Sequence, residues 1–324
     1  MPQKLLFNGR VYNCKPDETV LSALLRQHVD APYACQKMSC MTCMMHSLSG
    51  PAPFASQKNL KETLQLQNNF LACGCFTECD MEIALPNENL TCQVTATVLE
   101  LKPLSSTVLE LMLQRDSPID YHGGQSVLLL NYEYIGKPFS IASPGSARFR
   151  SKLEVHVERI PGGAFSEWMH TKLKIGDRLL VSGVSGKLFY TPGSPEQPLL
   201  LAVWNGGLGA LLGLMQDAFE QHHRGPVWLF HGVSQVEDLY YIDELNELAE
   251  YFPNFNYVPC VEFGCDAKYL YQGTILEIMS ELTTDLTGWK VFLCGKREQV
   301  QQIQRHAYLV GAGMKDIYLE VTSL

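Results

Sequence analysis

The sequence predicts a multidomain protein that combines an α+β fold with an α/β fold. The hydrophobic pattern changes twice along the chain. A hairpin and one helix come first, then short strands separated by Gly/Pro turns, and finally apolar strands that alternate with helices. We therefore expect an N-terminal β-grasp domain over residues 1–93, an antiparallel β-barrel over residues 94–195, and an α/β domain with a parallel sheet over residues 196–324.

The first segment starts with two strand-like runs in KLLFNGRVYNC, and Asn8-Gly9 between them is a strong signal for a two-residue hairpin. The next stretch, DETVLSALLRQH, has the spacing of an amphipathic helix. Its predicted apolar face consists of Val20, Leu21, Leu24, Leu25 and His28. A hairpin, one helix and a cysteine-rich loop are typical of a small β-grasp fold.

The second and third segments differ in how their strands are connected. Between residues 94 and 190, the runs TCQVTATVLEL, SVLLLNY and KLEVHVERI are separated by turn residues, which predicts an antiparallel barrel. A polar, Pro-rich linker is expected at residues 191–198. After it, LLLAVW, VWLF, FNYVPCV, WKVFLC and IYLEV alternate with helical stretches, as in a parallel sheet covered on both faces.

Composition excludes several classes of function. The chain is 46% hydrophobic and 18% charged, as in ordinary soluble globular proteins, and it contains no apolar run long enough for a membrane span. The net charge of −9 argues against nucleic acid. The N-terminus does not resemble a signal peptide, so we expect a cytoplasmic protein whose eleven cysteines are metal ligands, reactive thiols or buried residues.

Three cysteines in ACQKMSCMTC, namely Cys35, Cys40 and Cys43, have the C-x4-C-x2-C spacing of plant-type [2Fe–2S] sites. A fourth cysteine is required, and Cys73 follows an apolar run that would hold it in place. Zinc is the alternative, although a zinc ribbon is expected to show two C-x2-C pairs.

Two further cysteines compete for the position of the fourth ligand. Cys75 and Cys79 lie close to Cys73 in FLACGCFTECD. Both come after the apolar run, so we favour Cys73.

On these residues, the first 90 or so positions resemble a plant-type ferredoxin domain. That family usually has glycines at the positions of Met38 and Met41. Glycine adopts positive φ angles at little cost, so methionine at these positions is a departure from the family pattern.

Two motifs in the second segment resemble those of the flavoproteins related to ferredoxin–NADP reductase. They are KPFSIAS at residues 137–143 and GGAFSEWM at residues 162–169. The resemblance implies FAD binding by Lys137, Pro138, Phe139, Ser140, Gly162, Gly163 and Ser166. In that family the basic residue holds phosphate, the aromatic residue stacks on the flavin, and the serine of the first motif reaches the flavin N5. Glycines at a helix start also leave amides free for an anion.

The third segment contains a strand, a glycine turn and a helix in LLLAVWNGGLGALLGLM, which is typical of a dinucleotide site. We assign the turn to Gly206, Gly207 and Gly209, with Leu208 where the family has threonine. Cys294-Gly295 ends a strand in FLCGKREQV, at a sheet edge where ligands bind. In the family this cysteine lies beside the nicotinamide.

The acidic stretch at residues 231–245 favours NADH over NADPH. It contains Glu237, Asp238, Asp243 and Glu244 but no Arg or Lys that could hold a 2′-phosphate.

The order of the three segments resembles the NADH reductase components of multicomponent oxygenases, such as those of methane monooxygenase, phenol hydroxylase and benzoate dioxygenase. The resemblance implies electron transfer from NADH through FAD and a [2Fe–2S] cluster to an oxygenase or another acceptor protein. Ser140 and Cys294 are the expected catalytic residues, and no general base is assigned because the reaction depends on cofactor alignment.

Two alternatives remain at the level of sequence. A reductase of the CDP-deoxyglucoseen type has the same segments but a sugar-dehydratase partner. A non-catalytic electron carrier or redox sensor would explain the altered residues Met38, Met41, Lys137 and Leu208.

Overall fold

The computed structural model describes residues 3–86, 93–133, 135–146, 151–264 and 270–322 of the chain. Contacts between residues divide the chain into two compact units, Met1–Cys92 and Gln93–Leu324. The position between residues 195 and 196, where the sequence suggests a further boundary, lies inside the second unit, in the loop between its barrel and its α/β sheet.

The first unit is a mixed sheet with two short helices. Its elements are β1 (Gln3–Phe7), β2 (Arg10–Cys14), α1 (Val20–Arg26), β3 (Met44–Ser47), α2 (Glu62–Leu66), β4 (Asn69–Leu71) and β5 (Met81–Ala84). The strand order is β2-β1-β5-β3-β4, with β1 and β5 parallel and the other pairs antiparallel. A parallel pair at the centre, with a helix after the first hairpin, is the predicted β-grasp arrangement.

Local sequence explains the hairpin and the helix of this unit. Asn8 and Gly9 both have positive φ, 50° and 71°, as a type I′ turn requires. Helix α1 begins after Thr19, whose Oγ1 accepts the Ser22 N–H at 3.1 Å. His28, predicted on the buried face, is instead exposed beyond the helix end, and Ala23 is buried in the helix.

The second unit begins with an antiparallel barrel. Its elements are β6 (Gln93–Pro103), β7 (Val108–Arg115), β8 (Ser126–Leu130), β9 (Gly136–Ser140), β10 (Lys152–Glu158), α3 (Ala164–Thr171) and β11 (Arg178–Ser185). The strand order is β10-β7-β6-β11-β8-β9, and every pair is antiparallel. A bridge between Ile141 and Val155 joins the two ends of this sheet, which closes the barrel.

A parallel sheet follows the barrel. Its elements are β12 (Leu199–Trp204), α4 (Leu208–Glu220), β13 (Val227–Gln235), α5 (Ile242–Tyr251), β14 (Phe255–Phe263), β15 (Tyr271–Gln272), α6 (Ile275–Leu282), β16 (Lys290–Gly295), α7 (Arg297–Leu309) and β17 (Ile317–Val321). The strand order is β15-β14-β13-β12-β16-β17, with all pairs parallel. The two-residue edge strand β15 has no apolar pattern, which is why the sequence does not predict it.

Strand β12 shows why these strands are apolar throughout. All six of its residues are buried. Leu199, Leu201 and Val203 belong to one core cluster, and the alternate residues of the strand belong to another on the opposite face. Helices cover both faces, so no position in the strand can be polar without a buried partner.

One buried carboxylate connects the barrel to helix α4. Asp217 on α4 accepts the N–H groups of Gly123 at 2.7 Å and Gly145 at 2.8 Å. A Cβ atom on Gly123 would lie 2.2 Å from the carbonyl oxygen of Gly213, so the backbones of the barrel loop and the helix are in direct contact. This contact places the barrel beside the start of the α/β sheet. Within the described ranges, no helix is both long and apolar enough to cross a bilayer.

Candidate functional site

The loop between α1 and β3 carries three of the four predicted iron ligands, and backbone amides point at their sulfur atoms. The Cys35 N–H donates to Cys40 Sγ at 3.5 Å, and the Lys37 N–H donates to Cys35 Sγ at 3.3 Å. The Met38 N–H donates to Cys73 Sγ at 3.4 Å. N–H donors stabilise thiolate sulfur, as an iron–sulfur site needs.

The loop curves because three of its residues have a left-handed backbone conformation. Gln36, Met38 and Met41 have φ angles of 52°, 58° and 60°. The family's glycines therefore correspond to real positive-φ positions in this chain. Methionine at such a position costs about 1–2 kcal/mol relative to glycine.

Cys73 reaches this loop from a short turn, Ala72–Gly74, that directly follows β4. Cys75 is fully buried in the core of the first unit, where burial raises the pKa of its thiol to about 12. Cys79 is exposed, and its backbone N–H donates to the hydroxyl of Thr77 at 3.3 Å. Of these three cysteines, Cys73 is the one whose sulfur accepts a hydrogen bond from the loop.

The chemistry of this donor set fits an iron–sulfur cluster. The four cysteines are free thiols. The hydroxyl of Ser39 and nearby amides lower the pKa of Cys35 to about 5, which favours the thiolate that iron binds. Burial, in contrast, raises the pKa of Cys43 to about 11. Once deprotonated, the four thiols on one loop and one turn would hold a [2Fe–2S] group.

A cleft in the second unit brings together most of the residues predicted to bind FAD and nicotinamide. It is lined by barrel residues and by residues at the carboxyl ends of β12, β16 and β17. Its lining includes Lys137, Pro138, Phe139, Ser140, Ser166, Gly206, Gly207, Gly209 and Cys294. Gly162, Gly163 and Gly295 are adjacent in sequence to the cleft elements but are not part of this lining.

Strand β9 presents the first flavin motif to the cleft. Ser140 lies opposite Ser126 on β8, and Phe139 lies opposite Val127. The Phe139 ring is 6.1 Å from the ring of Phe165 on α3. Phe139 is thus held at the edge of the barrel core and still faces the cleft.

The second flavin motif forms the turn that starts α3. Gly162 has a φ of 75°, and Gly163 is the residue before the helix. Ser166 is 2% exposed, and its Oγ accepts the Ile160 N–H at 3.2 Å and donates to the Gly163 carbonyl at 3.1 Å. The hydroxyl is therefore used to shape the turn, and the backbone amides at the helix start are what the motif offers to an anion.

The glycine turn after β12 lets three parts of the unit approach closely. A Cβ on Gly207 would lie 2.9 Å from Cys294 Sγ, and one on Gly209 would lie 3.0 Å from Cγ of His156. Cys294 is buried at the end of β16, where burial raises the pKa of its thiol. The thiol is therefore neutral and unsuited to act as a base.

Several residues of the cleft were missed by sequence reasoning. Asn205 has a φ of 48°, and its Oδ1 is buried without a hydrogen-bond partner among the described residues. Glu158 approaches the glycine turn, since a Cβ on Gly206 would lie 2.9 Å from its Oε2, and burial raises the pKa of its carboxyl. Asn205 could have been found from the sequence, because this asparagine stands directly before the paired glycines. Glu158 gave no such signal, because it ends a strand with the usual alternating pattern.

Glu320 was missed as well. It lies opposite Cys294 across the β16–β17 pair and lines the cleft. Burial raises the pKa of its carboxyl, while Lys187 and a hydrogen bond with Ser126 act in the opposite direction. A charged residue inside the apolar run IYLEV was the available signal. Thr322 also lines the cleft.

The residues of the cleft fit a bound dinucleotide. The turn at Asn205–Gly207 leads directly into the 13-residue helix α4, which has no acidic residue in its first turn. The first amides of a helix have no partner within the helix, and Asn205 Oδ1 has none among the described residues, so this turn offers both donors and an acceptor.

Comparison with known proteins identifies two domains in the chain. Residues 6–78 match the family described as the 2Fe-2S iron-sulfur cluster binding domain. Residues 206–306 match the oxidoreductase NAD-binding domain. The first match contains all four candidate iron ligands, and the second contains the glycine turn and Cys294.

Solved structures share this fold over nearly the whole chain. The crystal structure of the Amycolatopsis cytochrome P450 reductase GcoB has a TM-score of 0.69 and 27% identity, with 98% of each chain covered. The ferredoxin reductase in carbazole 1,9a-dioxygenase has a TM-score of 0.66 at 22% identity, which supports the fold alone.

Similar proteins of known function are also matched along most of their length. The phenol hydroxylase P5 protein of Acinetobacter pittii is 30% identical over 306 residues, covering 89% of this chain and 84% of the relative. The reductase subunit of an aromatic O-demethylase from Amycolatopsis sp. is 29% identical, with 90% of both chains covered. Since this similarity extends through the cysteine loop, the barrel and the nicotinamide sheet together, the chain belongs to the family of iron–sulfur flavoprotein reductase components of multicomponent oxygenases.

Proposed function

We propose that this protein takes electrons from NADH and delivers them one at a time, through FAD and a [2Fe–2S] cluster, to the oxygenase component of a multicomponent system. The observation that carries the proposal is the cleft of the second unit, where the flavin motif and the nicotinamide motif meet. When bound, FAD accepts electrons in pairs and releases them singly, and the cluster carries one at a time.

The roles of individual residues follow from their positions. Lys137 would bind the FAD phosphates, together with the amides that follow Gly162 and Gly163. Phe139 would stack on the flavin ring, between Pro138 and Ser140 on strand β9. This division is supported by the presence of Lys137, Pro138, Phe139 and Ser140 in the lining of the cleft.

The nicotinamide would enter from the side of the α/β sheet. Gly206, Gly207 and Gly209 keep the turn free of side chains, which allows a dinucleotide to approach the backbone. Cys294 and Gly295 end β16 at the same edge. Ser140 and Cys294 face the same cleft from opposite elements, so they would align the two rings with no proton acceptor.

The iron ligands would be Cys35, Cys40, Cys43 and Cys73. Under this proposal the chain has three functional modules, residues 1–93 for the cluster, 94–195 for FAD and 196–324 for NADH. A cytoplasmic location agrees with the nine described cysteines, all of which are free thiols.

An anaerobic titration with NADH tests the whole proposal. The purified protein should show flavin bands and a long-wavelength iron–sulfur shoulder, and NADH should bleach both. Cytochrome c, added as the electron acceptor, should then be reduced. A protein that binds FAD but contains no iron or inorganic sulfide after anaerobic preparation would contradict the proposal.

Replacing Lys137 with alanine should weaken FAD binding. Hydrogen bonds to charged groups are worth about 1.5–3 kcal/mol, so the Kd for FAD should rise roughly tenfold to hundredfold. Lys137→Arg should bind at least as tightly as the unaltered protein, because guanidinium pairs with phosphate through two hydrogen bonds. Quenching of flavin fluorescence measures the Kd. Lys152→Ala, which removes an exposed lysine at the start of β10, is the control and should leave it unchanged.

NADH should be preferred over NADPH by at least about tenfold in kcat/KM. Glu237 and Asp238 form a turn directly after β13, and a 2′-phosphate within ~4 Å of such a carboxylate meets a repulsion of about 1–4 kcal/mol. The double variant Glu237→Gln/Asp238→Asn should lower the ratio of kcat/KM with NADH to kcat/KM with NADPH. Steady-state rates with both nucleotides measure it, and a higher kcat/KM for NADPH would refute the assignment.

A further inference from the structure

Met38 connects two segments that are far apart in sequence. It lies in the three-cysteine loop, and its N–H donates to the sulfur of Cys73, 35 residues later, at 3.4 Å. Its carbonyl accepts a hydrogen bond from Nδ2 of Asn59 at 3.0 Å. The backbone of this one residue therefore joins the loop to the turn of the fourth candidate ligand and to a third segment of the first unit.

The side chain of Met38 makes the same connection. Its Sδ lies 2.1 Å from the point where a Cβ atom on Gly74 would stand, and its Cγ lies 2.6 Å from that point. The thioether thus rests directly on the backbone next to Cys73, in space that exists only because residue 74 is glycine. Met38 and Cys73 are both half-buried against the core of this unit.

Met41 shows that this contact is not a general consequence of the loop conformation. It has nearly the same φ as Met38, 60° compared with 58°, and carries the same side chain. Its side chain is 37% exposed and is not part of the core cluster. Two methionines therefore bear the same backbone strain, and one of them makes a contact that joins the loop to Gly74.

We propose that Met38 is a positioning residue for the iron–sulfur cluster, whose side chain, seated on Gly74, holds the Cys73 turn against the three-cysteine loop. A glycine at position 38 would relax the backbone but would leave the turn and the loop joined by main-chain contacts alone. The Met38–Gly74 contact thus keeps the four thiols together. This stabilisation offsets the backbone strain of a methionine with a positive φ angle at position 38. This inference rests on the proposed ligand set of Cys35, Cys40, Cys43 and Cys73.

The test is the rate at which the cluster is lost to a ferrous chelator under argon, followed by the decay of its visible absorbance. Met38→Gly and Gly74→Ala should each accelerate the loss by about tenfold or more, as removal of an outer-shell contact commonly does. Alanine at residue 74 has this effect because its methyl group displaces the Met38 side chain. Met41→Gly relieves the same backbone strain without breaking the contact, so it should lose its cluster at the rate of the unaltered protein.

The double variant Met38→Gly/Gly74→Ala shows whether the two substitutions change the rate of cluster loss through one shared contact or independently. If the contact acts as proposed, the double variant loses its cluster no faster than Met38→Gly alone, whereas independent effects would multiply. Equal rates for Met38→Gly and Met41→Gly would overturn the inference, and this comparison stands even if Gly74→Ala alone fails to fold. Iron and sulfide analysis of the unaltered protein tests the ligand set separately.

Discussion

Cys73→Ala is expected to yield a folded flavoprotein without an iron–sulfur cluster. Cys73 is the candidate fourth ligand, and its sulfur already accepts a hydrogen bond from the Met38 N–H in the ligand loop. Loss of an outer-shell partner commonly costs 10–100-fold in metal affinity, and loss of a ligand costs more. NADH-dependent reduction of cytochrome c should therefore fall by more than about a hundredfold. Bleaching of the flavin by NADH should persist, because the cleft is built within the second unit.

The two neighbouring cysteines provide matched controls for this variant. Cys79→Ala changes an exposed thiol and should keep the full cluster. Cys75→Ala removes a sulfur from the core, so it should lower the free energy of unfolding by about 1–2 kcal/mol while keeping iron. Iron, inorganic sulfide and the electron paramagnetic resonance signal of the reduced protein distinguish these cases. A Cys73→Ala protein with two irons, or a Cys75→Ala protein with none, would show that the fourth ligand is wrong.

Asp217→Ala should give the largest loss of stability of any single substitution proposed for the second unit. The carboxylate accepts two backbone N–H groups, from Gly123 and Gly145, that have no other described partner. The Gly123 N–H is buried, and leaving such a donor unsatisfied costs about 1–3 kcal/mol. The hydrogen bond of the Gly145 N–H is only partly buried and should contribute about 0.5–1.5 kcal/mol, so the loss should be about 1.5–4.5 kcal/mol. Gly145 follows the KPFSIAS motif closely, so FAD affinity should fall as well. Urea unfolding followed by flavin fluorescence measures the stability, and a titration with FAD measures the Kd.

Asp217 should also make the stability of the folded state depend on pH. Burial raises the pKa of Asp217, and the two N–H donors only partly oppose it. Between the unfolded pKa, about 3.9, and the higher folded pKa, the folded state holds more protons, so stability should fall as pH rises through this window. Asp217→Asn keeps one acceptor oxygen, so its loss should be smaller than that of Asp217→Ala, and this part of the pH dependence should disappear.

Asp285→Ala is the control for Asp217→Ala. Asp285 also accepts a backbone N–H, that of Thr287 at 2.8 Å, but it is exposed. Water replaces its oxygen, and the loss should be below about 1 kcal/mol. Equal losses for the two variants would mean that the Asp217 contact does not hold the barrel to helix α4.

Local pattern was enough to predict the three folds, and resemblance to known motifs pointed to many residues that line the cleft. Asn8-Gly9 predicted a hairpin because two adjacent residues with positive φ define that turn. The apolar run of β12 predicted a strand covered on both faces. The flavin motif around Ser140 and the nicotinamide motif around Cys294 were each visible as short stretches, and the cleft brings them together.

Contacts between distant residues could not be predicted in this way. Asp217 is 94 positions from Gly123, and no feature of either stretch indicates the other. Glu320 and Asn205 were not assigned to the cleft, because their roles depend on which strands become neighbours and on which atoms are left without partners. Sequence also suggested that Met38 and Met41 were equivalent departures from a glycine pattern.

By itself, the sequence determined the class of each domain and the candidate thiols, because spacing and hydrophobic period are properties of a few consecutive residues. Its resemblance to known motifs implied the cofactors. Only the tertiary structure decided that Met38 rests on Gly74 while Met41 is exposed, that Asp217 joins the barrel to α4, and that Glu320 faces the cleft. The physical reason is that burial and hydrogen bonding are set by close packing between segments, and that packing exists only once the chain has folded.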